Sequence, residues 1–118
     1  LVEDNEIIRE SMIYFLENIG AIIHCYDSAE EALLALPTKT PSILITDYHL
    51  AGKMTGDMLI QKAHHELTSP PDHYILSSAG DTSNEIKALQ EKGIKNLAEI
   101  HKTGAIDFYT KLLAVLSL

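Results

Sequence analysis

Tryptophan is absent from this chain of 118 residues, phenylalanine occurs twice and cysteine once. A lone thiol cannot close an internal disulfide, so Cys25 reads as a small apolar residue near a strand end, in a chain suited to a reducing compartment. Basic side chains are also few: nine stand scattered against 17 acids, for a net charge of −8. Phosphate backbones need clustered Lys and Arg, so nucleic acid is excluded as a ligand of this domain itself. No apolar run approaches the roughly 20 residues of a membrane span, and no basic-then-apolar leader opens the chain. The expected location is the cytoplasm, away from any membrane. An initiator Met is lacking as well, and the chain opens inside what reads as a strand. It is expected to be a fragment of a longer polypeptide, with the first strand truncated.

What the chain does have is 46% apolar and 22% charged residues, the balance of one soluble globular domain spanning 1–118. Ile8, Met12, Phe15 and Ile19 recur at helical spacing ahead of Gly20, and residues 21–26 form a short β-rich run. Ser28 and Glu31 have the spacing of a capping box, opening a helix that Pro37 ends. The run from Ser42 to Asp47 reads as a strand, followed by a loop with Gly52 and Gly56 and a helix from about Asp57 to Leu67. Pro70-Pro71 breaks that helix, Tyr74 to Ser77 predicts a fourth strand, and Thr82 with Glu85 repeats the capping-box spacing. Between Asp81 and Gly104 the pattern is helix-like, interrupted by Gly93. Residues 105–111, rich in β-branched and aromatic side chains, predict a fifth strand. Apolar strands alternating with helices imply a parallel sheet covered on both faces.

Three acids mark where chemistry would sit. Glu3-Asp4 follows Leu1-Val2, and Asp47 ends the run Ile43-Leu44-Ile45-Thr46. As ends of parallel strands they meet at the carboxyl edge of the sheet, where open α/β sheets place their ligands. Crowded carboxylates repel one another and make physical sense around a hard divalent cation, which points to Mg²⁺ and phosphoryl chemistry.

Four stretches in order, Leu1-Val2-Glu3-Asp4-Asn5, the strand ending in Asp47, the strand ending in Ser77 and the run from Gly104 to Lys111, resemble the receiver domain of two-component response regulators. The resemblance covers nearly the whole chain. It implies a doubly wound (βα)5 flavodoxin-like three-layer sandwich, its five parallel strands ordered 2-1-3-4-5. It also implies that Asp47 is the phospho-acceptor, that Asp4 binds Mg²⁺ directly and Glu3 mainly through water, and that His49 offers the metal its backbone carbonyl. Ser77 would hydrogen-bond the phosphoryl group, Lys111 would pair with it, and Phe108 falls where the family carries a rotating switch aromatic. The implied partner is a histidine kinase or a histidine phosphotransfer protein. An output domain in the same chain and a homodimer are both compatible with the family. The domain would catalyse only its own phosphorylation and dephosphorylation.

Departures from the family pattern bear on the site. Ala51 stands where Pro is usual, the loop before Gly56 is one residue longer than the commonest spacing, and Leu112 replaces the Pro that usually follows the lysine. The interval from Ser77 to Lys111 is also longer than usual. Lys102 has the better spacing, but Leu97 to His101 reads as helix, so the approach through Gly104 to Phe108 favours Lys111. Ser78-Ala79 rivals Ser77, whose interval from Asp47 is the usual one. His64-His65 lie about 100° apart on a helix, cannot chelate together, and read as a solvated helix end. A Mg²⁺-dependent aspartyl-phosphate phosphatase would be expected to carry a second Asp where this chain has His49. A nucleotide or flavin binder lacks its Gly-x-x-x-x-Gly-Lys-Ser/Thr loop here. An interaction module that is never phosphorylated is the remaining alternative.

Overall fold

Three strands pair in parallel in the computed structural model, which describes residues 1–102 and 104–116. They are β1 (Ile43–Asp47), β2 (His73–Ser78) and β3 (Leu97–His101), in the order β1-β2-β3. Val2 extends the layer through single parallel bridges, one to Thr46 of β1 and one to Tyr26. The first segment therefore lies between residue 26 and β1, giving the expected five-segment order 2-1-3-4-5.

Alternation along the strands sorts the core into two halves. Leu44, Tyr74 and Leu76 face one side, where α2 (Ala29–Ala35), α3 (Gly56–Glu66) and α4 (Ser83–Glu91) bring Ala32, Leu59, Ile60, Ala63 and Leu89. Ile45, Ile75 and Ile100 face the other, packed with Met12 and Leu16 of α1 (Glu6–Asn18) and Phe108 and Leu112 of α5 (Ala105–Leu116). Burial on both faces explains why β1 is apolar without interruption from Ile43 to Ile45 and β2 from Tyr74 to Leu76. Asn5 caps α1 by accepting from the Ile8 N–H at 3.0 Å, and Ser28 caps α2 by accepting from Glu31 at 3.1 Å. Thr82 behaves differently: it precedes α4 but makes no side-chain cap, because its hydroxyl donates to Glu99 of β3.

The last quarter of the chain corrects the sequence expectation. Helix α4 ends at Glu91, Gly93 turns the chain at φ +92°, and the fifth strand is Leu97–His101 rather than residues 105–111. Among the described residues β3 ends the sheet and pairs with β2 alone, and of its own residues only Ile100 is fully buried. A half-covered strand keeps polar residues, so Glu99 and His101 interrupt the kind of apolar run that marks β1 and β2. Residues 105–111 belong to α5, with Phe108 and Leu112 buried four positions apart on one face. Packing onto the sheet overrides their β-propensity. Helix α5 is followed to Leu116, and residues 117 and 118 lie outside the described residues.

Candidate functional site

The acidic groups converge because two chain segments end side by side. The Val2 N–H donates to the Ile45 carbonyl at 2.8 Å, and the Asp47 N–H donates back to the Val2 carbonyl at 3.0 Å. This pairing brings Glu3 and Asp4 to the edge where β1 delivers Asp47. Carboxylate oxygens of Glu3, Asp4 and Asp47 all lie within 4.8 Å of one another. Glu3 is buried, Asp47 half-buried and Asp4 exposed, so the cluster opens to solvent on one side.

Lys102 bridges two of the three. Its Nζ lies 2.7 Å from Glu3 Oε1 and 3.2 Å from Asp47 Oδ2, with the lysine side chain 19% exposed, Asp47 11% and Glu3 2%. β3 positions it: the Lys102 N–H donates to the Ser78 carbonyl at 2.8 Å, continuing the parallel pairing one residue past His101. The other oxygens are held by backbone, Glu3 Oε2 accepting from Asn5 at 3.2 Å and Asp47 Oδ1 from Tyr48 at 2.9 Å. Arg9 is directed elsewhere, donating to the Glu3 carbonyl and pairing with Asp27 at 2.7 Å.

One ammonium does not neutralise three carboxylates. Burial pushes the Asp47 carboxyl above the usual aspartate range despite the Lys102 charge and the Tyr48 N–H. Burial likewise raises Glu3 against its bonds from Lys102 and Asn5. Lys102 is also raised: burial pulls it down, but the bond to Glu3 and the Asp47 charge more than offset this. An oxygen-only cluster that one cation leaves short of charge balance fits a second, hard cation such as Mg²⁺. Glu3, Asp4 and Asp47 are the side chains that would hold it.

Around the acids, Ser77 sits in register with Asp47 across β1 and β2. Among the described residues its buried hydroxyl makes one long 3.5 Å bond, to the Thr46 carbonyl, and is available to donate elsewhere. Ser78 is committed, donating to the Gly80 carbonyl at 2.7 Å, which favours Ser77 as the site hydroxyl. His49 lies in the loop after β1, its side chain exposed and its ring edge-on to Tyr48 at 4.8 Å. Gly56 opens α3 against the strand end, where a β-carbon would lie 2.1 Å from the Asp47 carbonyl oxygen. Only glycine permits that approach.

Two expected site residues stand elsewhere. Lys111 is on α5, paired with Asp107 one helical turn away at 3.1 Å, not at the strand end. Phe108 is on the same helix, 6% exposed within the core with Met12, Leu16 and Ile45. A strand over 105–111 would put both at the sheet edge, where the structure has neither; the lysine it brings to the acids is Lys102, whose spacing from Ser77 is the signal in the sequence. Three residues before Lys102 the chain carries Glu99 rather than an aromatic, and Glu99 accepts from Thr82 and lies 3.2 Å from His101 Nε2.

A sequence model of the family described as the response regulator receiver domain matches residues 1–103. Among solved structures, the signal receiver domain of an HD domain-containing protein from Pseudomonas fluorescens Pf-5 is 24% identical, with a TM-score of 0.79 over 98% of this chain and 87% of that one. A response regulator receiver protein from Pseudomonas putida is 28% identical, with a TM-score of 0.73 over 98% and 91% of the two chains. A CheY-like receiver domain protein from Methanospirillum hungatei JF-1 is 22% identical, with a TM-score of 0.78 over 98% and 90%. No curated protein sequence matches the chain significantly.

Proposed function

Because the chain belongs to the response regulator receiver domain family, we propose that Asp47 accepts a phosphoryl group from a phosphohistidine on a partner histidine kinase or phosphotransfer protein. The observation that carries this reading is the cluster of Glu3, Asp4 and Asp47 oxygens within 4.8 Å, bridged by Lys102 at the carboxyl edge of the sheet. A carboxylate oxygen of Asp47 attacks phosphorus, and the P–N bond breaks with its electron pair returning to the imidazole. The product is an acyl phosphate, a mixed anhydride labile enough for a reversible signal. Bound Mg²⁺ would supply neutralisation of the phosphoryl oxygens beside the carboxylates.

The remaining roles fall to the chain's own groups. The Tyr48 N–H orients the Asp47 carboxylate through Oδ1. Lys102 moves from its carboxylate partners to the new phosphoryl oxygens as a compact point charge. Ser77, in register with Asp47, donates its hydroxyl to the same group. A shift of Lys102 is transmitted through β3 and of Ser77 through β2, so the neighbouring surface changes with phosphorylation state. In this reading the domain turns over only its own phosphoryl group and works in the cytoplasm; among its described residues no helix is long and apolar enough to cross a membrane.

Amide spectra of ¹⁵N-labelled protein test the reading with Mg²⁺ and beryllofluoride, a stable stand-in for the phosphoryl group. Mg²⁺ alone should shift amides beside Glu3, Asp4 and Asp47, and further shifts around Ser77 and β3 are expected only when both additives are present. They should be lost in Lys102→Ala and retained in Lys111→Ala. Identical spectra with and without the additives would overturn the assignment.

A further inference from the structure

The loop between Asp47 and Gly56 is tied at both ends to the strand edge, through the 2.9 Å bond from the Gly56 N–H to the Tyr48 carbonyl and through the closeness of Gly56 to Asp47. Its middle is tied to a different element. Ser28, the cap of α2, forms a parallel bridge with Ala51. Glu30, in the first turn of α2, accepts from the Lys53 N–H at 3.1 Å through Oε2. Gly52 lies against the same carboxylate at φ +92°, where a β-carbon would come within 2.8 Å of Glu30 Oε2. Oε1 is closed off from solvent and, among the described residues, accepts no hydrogen bond of ordinary geometry. The backbone N–H groups of Lys53, of Glu30 itself and of Met54 hold this carboxyl below the usual glutamate range.

A helix-surface glutamate has no need of such surroundings. A covered carboxylate oxygen without an ordinary hydrogen bond calls for an explanation, and here the loop has been shaped around the side chain. That loop runs eight residues from Tyr48 to Thr55, contains Gly52 and holds no proline. A longer, glycine-containing loop has more conformations to lose, so something must hold it in the one that suits the acidic site.

We propose that Glu30 is a positioning residue for the phosphoryl site, anchoring residues 51–54 to α2 so that the segment leaving Asp47 is held ready for the metal. The proposal rests on the reading of Asp47 and its neighbours as a Mg²⁺ site. Glu30 touches neither metal nor phosphoryl group; it acts through the Lys53 N–H and the path of the loop. Groups hydrogen-bonded directly to metal ligands change affinity by about 10- to 100-fold when lost, and Glu30, acting through the loop, should lie at the lower end of that range.

The test compares wild type with Glu30→Ala, Glu30→Gln and, as a control on the same helix turn, Glu31→Ala, whose side chain is exposed. Two quantities are read on the whole chain: hydrogen exchange of the Lys53 amide without metal, and Mg²⁺ affinity by amide-shift titration with MgCl₂. In Glu30→Ala, Lys53 exchange should accelerate by about tenfold or more and Mg²⁺ should bind about tenfold more weakly. Glu30→Gln keeps an acceptor without its charge and should restore part of both, while Glu31→Ala should match wild type. Unchanged Lys53 exchange in Glu30→Ala, or faster exchange with unaltered Mg²⁺ affinity, would overturn the proposal. A wild-type protein that bound no Mg²⁺ would instead sink the metal reading, and with it the metal half of the proposal; Lys53 exchange would still decide whether Glu30 anchors the loop.

Discussion

Replacing Lys102 by methionine, which keeps the aliphatic stem but removes the charge, leaves Glu3 and Asp47 beside Asp4 with no ammonium between them. Lys102 is 19% exposed and its partners 2% and 11%, so the pair is largely out of water. Breaking a buried pair by removing one partner costs roughly 3–5 kcal/mol, and the opening on the Asp4 side argues for the lower end. A loss near 3 kcal/mol in a domain of this size lowers Tm by roughly 10 °C or more. The pH dependence follows from the same charges. Without Lys102, burial and mutual repulsion raise the folded-state pKa values of Glu3 and Asp47 further above their unfolded values. The folded variant then binds more protons than the unfolded chain across the carboxylate range, and its stability falls as pH rises through that range. The deficit should therefore be large at pH 7 and shrink toward pH 4. Lys111→Met is the matched control: its 3.1 Å pair with Asp107 is an exposed helical pair, worth about 0.3–0.5 kcal/mol. Thermal melts by circular dichroism in metal-free buffer decide the matter. Equal small losses for the two lysines, or a Lys102→Met deficit that is the same at pH 4 and pH 7, would refute the reasoning.

Three further outcomes follow from the geometry. Burial raises the Asp47 pKa in the folded chain, so ionised Asp47 opposes folding at neutral pH; Asp47→Asn should raise Tm at pH 7 without metal, and the gain should vanish below the usual aspartate range. A lower Tm for Asp47→Asn at pH 7 would contradict this. Gly56→Ala places a β-carbon on the Asp47 carbonyl and should cost about 1–3 kcal/mol or more in urea unfolding, with the amide signals of residues 47–48 displaced. Phe108→Ala should cost about 3–5 kcal/mol, as for a core aromatic, and should leave the beryllofluoride-dependent shifts in place; their loss in a folded variant would restore Phe108 to a switching role.

The acids and the serine were legible in the sequence because their strands are buried on both faces. An uninterrupted apolar run that stops at a carboxylate or a hydroxyl announces both the strand and the edge where it ends, as with Ile43 to Asp47 and Tyr74 to Ser77. Lys102 was obscured by the opposite circumstance. It follows a strand that closes the sheet and buries only Ile100 fully, so Glu99 and His101 alternate with Ala98 and Ile100 in place of an uninterrupted apolar run. The rival run, residues 105–111, mixes β-branched and aromatic residues yet is helical: Phe108, with Leu112 one turn on, packs α5 onto Ile45, Ile75 and Ile100, while Ile106 is exposed. Thr82 shows the same limit at the scale of one side chain. It has capping-box spacing with Glu85, yet a carboxylate from β3, distant in sequence, takes its hydroxyl instead.

Whether Asp47 becomes an acyl phosphate is decided most directly by incubating the protein with acetyl phosphate and Mg²⁺, reducing the anhydride with borohydride, and locating the product by peptide mass spectrometry. The reduced residue should appear at position 47 alone, only when Mg²⁺ is present, and should be absent from Asp47→Asn. Labelling of Asp47→Asn at the wild-type level, or labelling at another residue of the wild type, would contradict the account.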